Sequence, residues 1–220
     1  MIELRDLALA APDGRLLLEG LDLSLPAGGN LLLAGPSGSG KSQLLRVLAG
    51  TERPARGSVT LAGRAVWPGD GALGLAGRVR VGLAFATGGL LSNLSLRDNT
   101  ALPLRFLGLP AAVVRTRSEA ALGALGLGSV ADLRPHAVSA SARRHGNLAR
   151  VLALDPDLIL LDDPLEGLDS ADRTTALAVI QAWIADPAKT LLIAQEEPGP
   201  FGGVMGRLDL SPPLVPMETP

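Results

Sequence analysis

A chain of 220 residues with 47 % hydrophobic content has the length of one α/β domain, or of a core with a small inserted subdomain, and is not a disordered chain. Its formal net charge of -2 offers no basic excess to neutralise phosphates, which argues against nucleic acid as the main partner. There are no cysteines, so disulfides and thiolate metal sites are excluded.

Residues 2–9 alternate apolar and polar side chains, as a half-buried strand does. Pro12, Asp13 and Gly14 supply turn chemistry, and 15–25 resumes as a strand. After a turn at 26–29, residues 30–34 form a short apolar run of buried-strand length. Residues 43–49 read as a helix, with Gly50 in the position of a helix C-terminal glycine. A loop at 53–57, a strand at 58–62 and a glycine-rich excursion at 67–77 precede the buried strand 81–85. Ser95 caps a short helix that is expected to stop before Pro103. Residues 110–125 form an amphipathic helix opened by its proline, and after a turn at 129–133 another helix spans 140–154. The order closes with a buried strand at 158–161, a helix at 170–185 and a last core strand at 190–194. From Pro198 the tail is rich in proline and glycine and shows no periodicity, so its order depends on docking. The first residues carry no signal peptide, and no uncharged apolar run reaches spanning length; we expect a soluble or peripheral protein without a membrane span of its own.

The first chemical landmark is Gly35-Pro36-Ser37-Gly38-Ser39-Gly40-Lys41-Ser42, which fits G-x-x-x-x-G-K-[S/T], the phosphate-binding P-loop. Its glycines let successive backbone N–H groups point inward. Lys41 adds positive charge at the β- and γ-phosphates, and the Ser42 hydroxyl is a Mg²⁺ ligand. Strand, loop and helix follow in the required order, so the phosphates also meet a helix N-terminus. The second landmark is Leu158-Ile159-Leu160-Leu161-Asp162-Asp163. It sets carboxylates at the C-terminal edge of a buried strand, where ligands bind in open α/β sheets. Asp162 is the candidate to hold Mg²⁺ opposite Ser42, mostly through water. The plain alternative is a strand ending in two solvated acids.

With these residues, the chain resembles an ATP-binding cassette, the nucleotide-binding subunit of ABC transporters, from residue 2 to about 197. Residues 149–164 followed by Gly167-Leu168-Asp169 are similar to the family's Walker B and D-loop region. Residues 81–104 resemble its Q-loop and coupling region, and the Gly88-Gly89-Leu90-Leu91 and Ala101-Leu102-Pro103-Leu104 pieces are similar to cassettes of phospholipid-trafficking, Mla-type systems. The resemblance implies an α/β fold: a P-loop NTPase core with a mostly parallel sheet, an N-terminal antiparallel β-subdomain and a helical subdomain inserted at about 95–154. The cassette would cover 1–197 and the tail 198–220. It further implies ATP with Mg²⁺, a second cassette subunit in a homo- or heterodimer, and a transmembrane permease. The place implied is the cytoplasmic face of the inner membrane.

Several positions depart from the family's pattern. The Q-loop glutamine is Ala86, whose methyl group reaches neither metal nor water. The signature LSGGQ aligns with Val138-Ser139-Ala140-Ser141-Ala142; Ser139 keeps the hydroxyl for a γ-phosphate held by the other subunit, while Ala140 and Ser141 add Cβ atoms where glycines stand. The Ser141 hydroxyl is a candidate to compensate. Asp163 takes the place of the catalytic glutamate one methylene short, and a shift of about 1 Å in a water-orienting group costs on the order of a hundredfold in rate. Gln195 takes the place of the switch histidine. No aromatic lies near Ala11 or Pro12 to stack the adenine, a loss of roughly 1–3 kcal/mol. His136 and His145 read as surface groups and Arg143 with Arg144 as a solvated face. The expected function is therefore an ATP-binding subunit with slow hydrolysis that energises a permease; the alternative is a catalytically silent, nucleotide-gated subunit paired with an orthodox cassette. Nothing resembles the lid or base-reading motifs of a P-loop kinase or GTPase.

Overall fold

The predicted elements form in the predicted order. A computed structural model describes residues 1–67, 79–87 and 89–210. In chain order these residues form β1 (Ile2–Ala10), β2 (Leu16–Leu25), β3 (Asn30–Ala34), α1 (Lys41–Leu48), β4 (Arg56–Leu61), β5 (Arg64–Ala65) and β6 (Val81–Ala84). There follow α2 (Leu96–Phe106), α3 (Ala111–Ala124), α4 (Ala140–Leu154), β7 (Leu158–Asp162), α5 (Ser170–Ala185), β8 (Thr190–Gln195) and β9 (Gly206–Asp209). The excursion expected at 67–77 lies outside the described residues except for Trp67. Backbone contacts divide the chain into two units, Met1–Val79 with the residues from Leu192 onward, and Arg80–Leu191.

In the first unit, β2-β1-β4-β5 form an antiparallel sheet. Ile2 faces Leu25 on one side and Leu61 on the other, and all three are buried. The alternation read at 2–9 breaks at Asp6, which takes a positive φ of 44° and donates its N–H to the Asp22 carboxylate at 2.9 Å. The register between β1 and β2 shifts there. The parallel strand β3 is nearly all buried, and α1 buries Leu44, Leu45, Val47 and Leu48, each worth about 1.5–3 kcal/mol. Helix α1 ends as its sequence indicates: Gly50 N–H donates to Val47 O and Thr51 N–H to Arg46 O, a Schellman closure around the glycine.

The described part of the tail is ordered by docking, as its reading expects. Gly206–Asp209 is a strand that pairs in parallel with β3, from Leu31 opposite Gly206 to Ala34 opposite Asp209. Four residues with one buried neighbour carry no periodicity to detect; the backbone hydrogen bonds of β3 supply the order.

In the second unit, β6 and β7 pair in parallel from Val81 opposite Leu158 to Ala84 opposite Leu161. Helices α2, α3 and α4 pack on one another and form the expected helical block. Ser95 caps α2 by accepting from Asp98 N–H, as predicted, but the helix continues through Pro103 to Phe106. Burial of Leu104 one residue beyond the proline explains the difference: tertiary packing of that face outweighs the one backbone bond a proline removes. Pro110 serves as the N-cap of α3 rather than its first helical residue.

Candidate functional site

The P-loop occupies the turn between β3 and α1. Gly40, the N-cap of α1, has φ 91° and ψ 2°, a left-handed conformation that a side chain would strain. At Gly35 the constraint is space: a Cβ would lie 2.1 Å from the Leu210 carbonyl oxygen, and Leu210 N–H donates to Ala34 O at 2.7 Å. The tail strand therefore closes against the start of the loop, and only glycine fits there. The Lys41 ammonium folds back over the loop and donates to Gly35 O at 2.7 Å and Pro36 O at 2.9 Å. Lys41 is only 6 % exposed, so its charge stands in a nearly dry cradle.

The cradle fits an oxyanion. Ser39 is fully buried and its Oγ has no hydrogen-bond partner, leaving a donor without an acceptor inside the loop. The N-terminus of α1 adds the positive end of a helix dipole, and that first turn holds no acidic residue to compete for it. Ser42 lies in the same turn. The cradle holds donors and a buried cation, the chemistry that receives a phosphate chain.

Gln195 belongs to the same unit, at the end of β8, and is buried. Its Nε2 donates to Glu197 O at 2.5 Å and to Pro198 O at 2.7 Å. Both partners are carbonyl oxygens, so the nitrogen must face them and both amide hydrogens are used within the local turn. The Gln195 amide closes its own loop.

The remaining candidates lie in the second unit. Asp162 ends β7 and is 7 % exposed, in keeping with a carboxylate at a buried strand edge. Asp163 has φ 43°, a left-handed backbone that aspartate tolerates better than most side chains. Ser139 is the N-cap of α4, and its Oγ accepts from Ala142 N–H at 3.0 Å while its own proton remains available. Ser141 donates its hydroxyl to the Asp172 carboxylate, near the start of α5. The side chain expected to compensate for lost signature glycines is thus committed inside its own chain. Ala86 and Ala140 line one cavity of about 250 Å³ together with Leu90, Arg143, Arg144 and Asn147, so the positions expected to align with the Q-loop and the signature meet around one space.

Three residues act in ways the sequence reading missed. Arg144 is no solvated face: it donates to the Asp163 carbonyl at 3.2 Å and to Glu166 at 3.3 Å, tying α4 to the loop after β7. His145 is 2 % exposed rather than superficial, with Nδ1 at 3.0 Å from Leu125 O and Nε2 at 3.1 Å from Asp172 O. Its position three residues before the buried Leu148 on α4 was the available signal. Arg150 donates to the Gly89 carbonyl and, at 3.3 Å, to Asn147, and burial lowers the pKa of its guanidinium. That contact pins the loop that follows Ala86.

A P-loop leading into a helix, with an acidic strand end elsewhere in an α/β chain, defines a nucleoside-triphosphate-binding domain. The ABC transporter family matches residues 18–166, and the chain belongs to that family as an ATP-binding cassette. It is 31 % identical over 189 residues to the lipoprotein-releasing system ATP-binding protein LolD of Chromohalobacter salexigens, covering 86 % of this chain and 80 % of that protein. Over 186 residues it is 36 % identical to the nickel import ATP-binding protein NikO of Rhodobacter capsulatus, covering 82 % and 73 %. With the macrolide export ATP-binding/permease protein MacB 1 of Aeromonas hydrophila it shares 37 % identity over 167 residues, which span 75 % of this chain but 26 % of that protein. Among solved structures, the dimeric post-hydrolysis state of the ATP-binding cassette MJ0796 bound to ADP and Pi matches with a TM-score of 0.83 at 23 % identity, covering 96 % of this chain and 94 % of that one. That match shows the fold. Among the described residues no helix is long and apolar enough to cross a membrane.

Proposed function

We propose that this cassette works as one of a pair on a transmembrane permease, at the cytoplasmic face of the inner membrane, and hydrolyses ATP slowly. Family membership supplies ATP binding and the ATPase class; the slow rate is read from this chain's own side chains. The observation that carries it is Gln195, whose two amide hydrogens are held by Glu197 and Pro198.

In this reading Gly35, Pro36, Ser37, Gly38, Ser39 and Gly40 wrap the phosphates with backbone N–H groups, and Lys41 exchanges its loop carbonyls for the β- and γ-phosphate oxygens. Mg²⁺, with Ser42 and Asp162 as its protein ligands, would neutralise phosphate charge. The Asp163 carboxylate orients a water; the water oxygen bonds to the γ-phosphorus as the bond to the β–γ bridging oxygen breaks, giving ADP and phosphate. Asp163 is short for that task, Ala86 offers no polar group, and Gln195 brings no positive charge. Ser139 and Ser141 begin α4, the element that addresses the partner cassette's γ-phosphate. The names of the relatives span lipoprotein release, nickel import and macrolide export, and in this reading the choice of cargo belongs to the permease.

A nucleotide titration of the purified chain tests the binding half. With Mg²⁺ present the chain should bind ATP saturably and Lys41→Ala should not. Equal affinity of the two proteins would contradict the P-loop assignment.

A further inference from the structure

A second cavity, of about 500 Å³, lies in the second unit between α2 and α3, within the range of about 300–1,000 Å³ usual for small-ligand sites. Its buried floor is Ala101, Val114 and Ser118, and its more exposed rim carries Arg97, Arg105 and Arg115. No acid lines it. Arg97 is paired with Asp132 and Glu119 and Arg105 with Asp98, all outside the lining. The Arg115 guanidinium makes no ion pair or hydrogen bond among the described residues.

A second observation points to a ligand. Ser118 is 2 % exposed, and its Oγ has no hydrogen-bond partner. A buried hydroxyl without a partner is costly, and one in a cavity that three arginines also line is relieved by an oxyanion. The apolar floor asks in addition for a hydrocarbon body.

We propose that the α2–α3 cavity binds a small amphiphilic anion, an apolar chain ending in a phosphate or carboxylate, with Arg115 and Ser118 as donors to its head group. This assignment is independent of the nucleotide chemistry and of the family's pairing with a permease.

The test is calorimetric titration of the full chain with octyl phosphate below its micelle concentration, beside octanoate, inorganic phosphate and octanol. Octyl phosphate or octanoate should bind once per chain, and inorganic phosphate and octanol at least about tenfold more weakly, because each lacks half of the recognised chemistry. Arg115→Ala should weaken binding by about tenfold or more, the loss of one charge-assisted hydrogen bond, with Arg115→Lys and Ser118→Ala losing less. Arg173→Ala, on α5, should change nothing; ATP binding by the Arg115, Ser118 and Arg173 variants, and an unchanged Tm for Lys41→Ala, report that the fold is intact. Three outcomes would overturn the proposal: no saturable binding by a chain that binds ATP, equal affinity in Arg115→Ala, or a signal lost in Lys41→Ala, which would place the anion in the P-loop.

Discussion

The side-chain amide of Gln195 donates to the carbonyl of Pro198 at 2.7 Å, within the turn that follows β8. A second bond, to Glu197 O, uses the other hydrogen. The group in the place expected for the switch histidine locks the end of its own strand, and the carboxylate expected to hold water, Asp163, is one methylene shorter than a glutamate. Restoring both groups should expose what limits the rate. Asp163→Glu with Gln195→His should raise single-turnover cleavage by about tenfold or more, part of the hundredfold that about 1 Å of misplacement costs. An unchanged rate in a double variant that binds ATP normally would show that positioning is not limiting.

Asp163→Glu alone should also cost stability. The φ of 43° at this residue suits aspartate better than glutamate. The expected loss is about 1 kcal/mol, which corresponds to a fall in Tm of about 2–4 °C for a chain of this size. Differential scanning calorimetry reads it directly; an unchanged Tm would mean the left-handed turn does not discriminate between the two acids.

Gly35→Ala should be damaging through backbone contact rather than through lost chemistry. Its Cβ would fall 2.1 Å from the Leu210 oxygen, so β9 must move away from β3. Destabilisation on the order of 3 kcal/mol is expected in urea unfolding, with loss of ATP affinity. Wild-type stability would show that the tail strand yields freely.

Ser141→Gly removes the hydroxyl bound to Asp172 and supplies the glycine expected at this position from the resemblance to the signature. The lost charge-assisted bond should lower stability by about 1.5–3 kcal/mol, while turnover measured at high protein concentration rises. A fall in turnover would instead identify the Ser141 hydroxyl as a working part of the signature.

Acid should weaken the junction after α4. Burial raises the Asp155 pKa, but the Lys189 hydrogen bond and the charges of Lys189, Arg80 and Arg117 outweigh it, so the net shift is downward. A carboxyl depressed in the folded state stabilises above its unfolded pKa of about 3.9, and that contribution is lost as pH falls through the folded value. Asp155→Asn should therefore lower Tm at neutral pH and lessen the further drop below about pH 4. The side chain is half exposed, so the effect is modest; a Tm difference between the two proteins that persists undiminished at acid pH would contradict this source.

Much of this was legible because the signals are local. The span of α4, Ala140–Leu154, is the one its apolar spacing predicts, and Gly50 closes α1 where its position indicates. What the sequence hid depends on distant neighbours. β9 exists through hydrogen bonds to β3, α2 passes Pro103 because Leu104 is buried, and Arg144 reaches the Asp163 carbonyl across 19 positions of chain. Residue identity shows that Gln195 and Ser141 can donate hydrogen bonds; only the fold shows that Pro198 and Asp172 accept them.

The most direct measurement is single-turnover hydrolysis of radiolabelled ATP by the purified chain with Mg²⁺, at protein in excess over nucleotide, with Asp163→Asn alongside. The predicted result is tight binding with slow cleavage that Asp163→Asn abolishes. Binding with no cleavage at all, or cleavage at the same rate in the variant, would contradict a motor subunit whose weakened water-positioning group is Asp163.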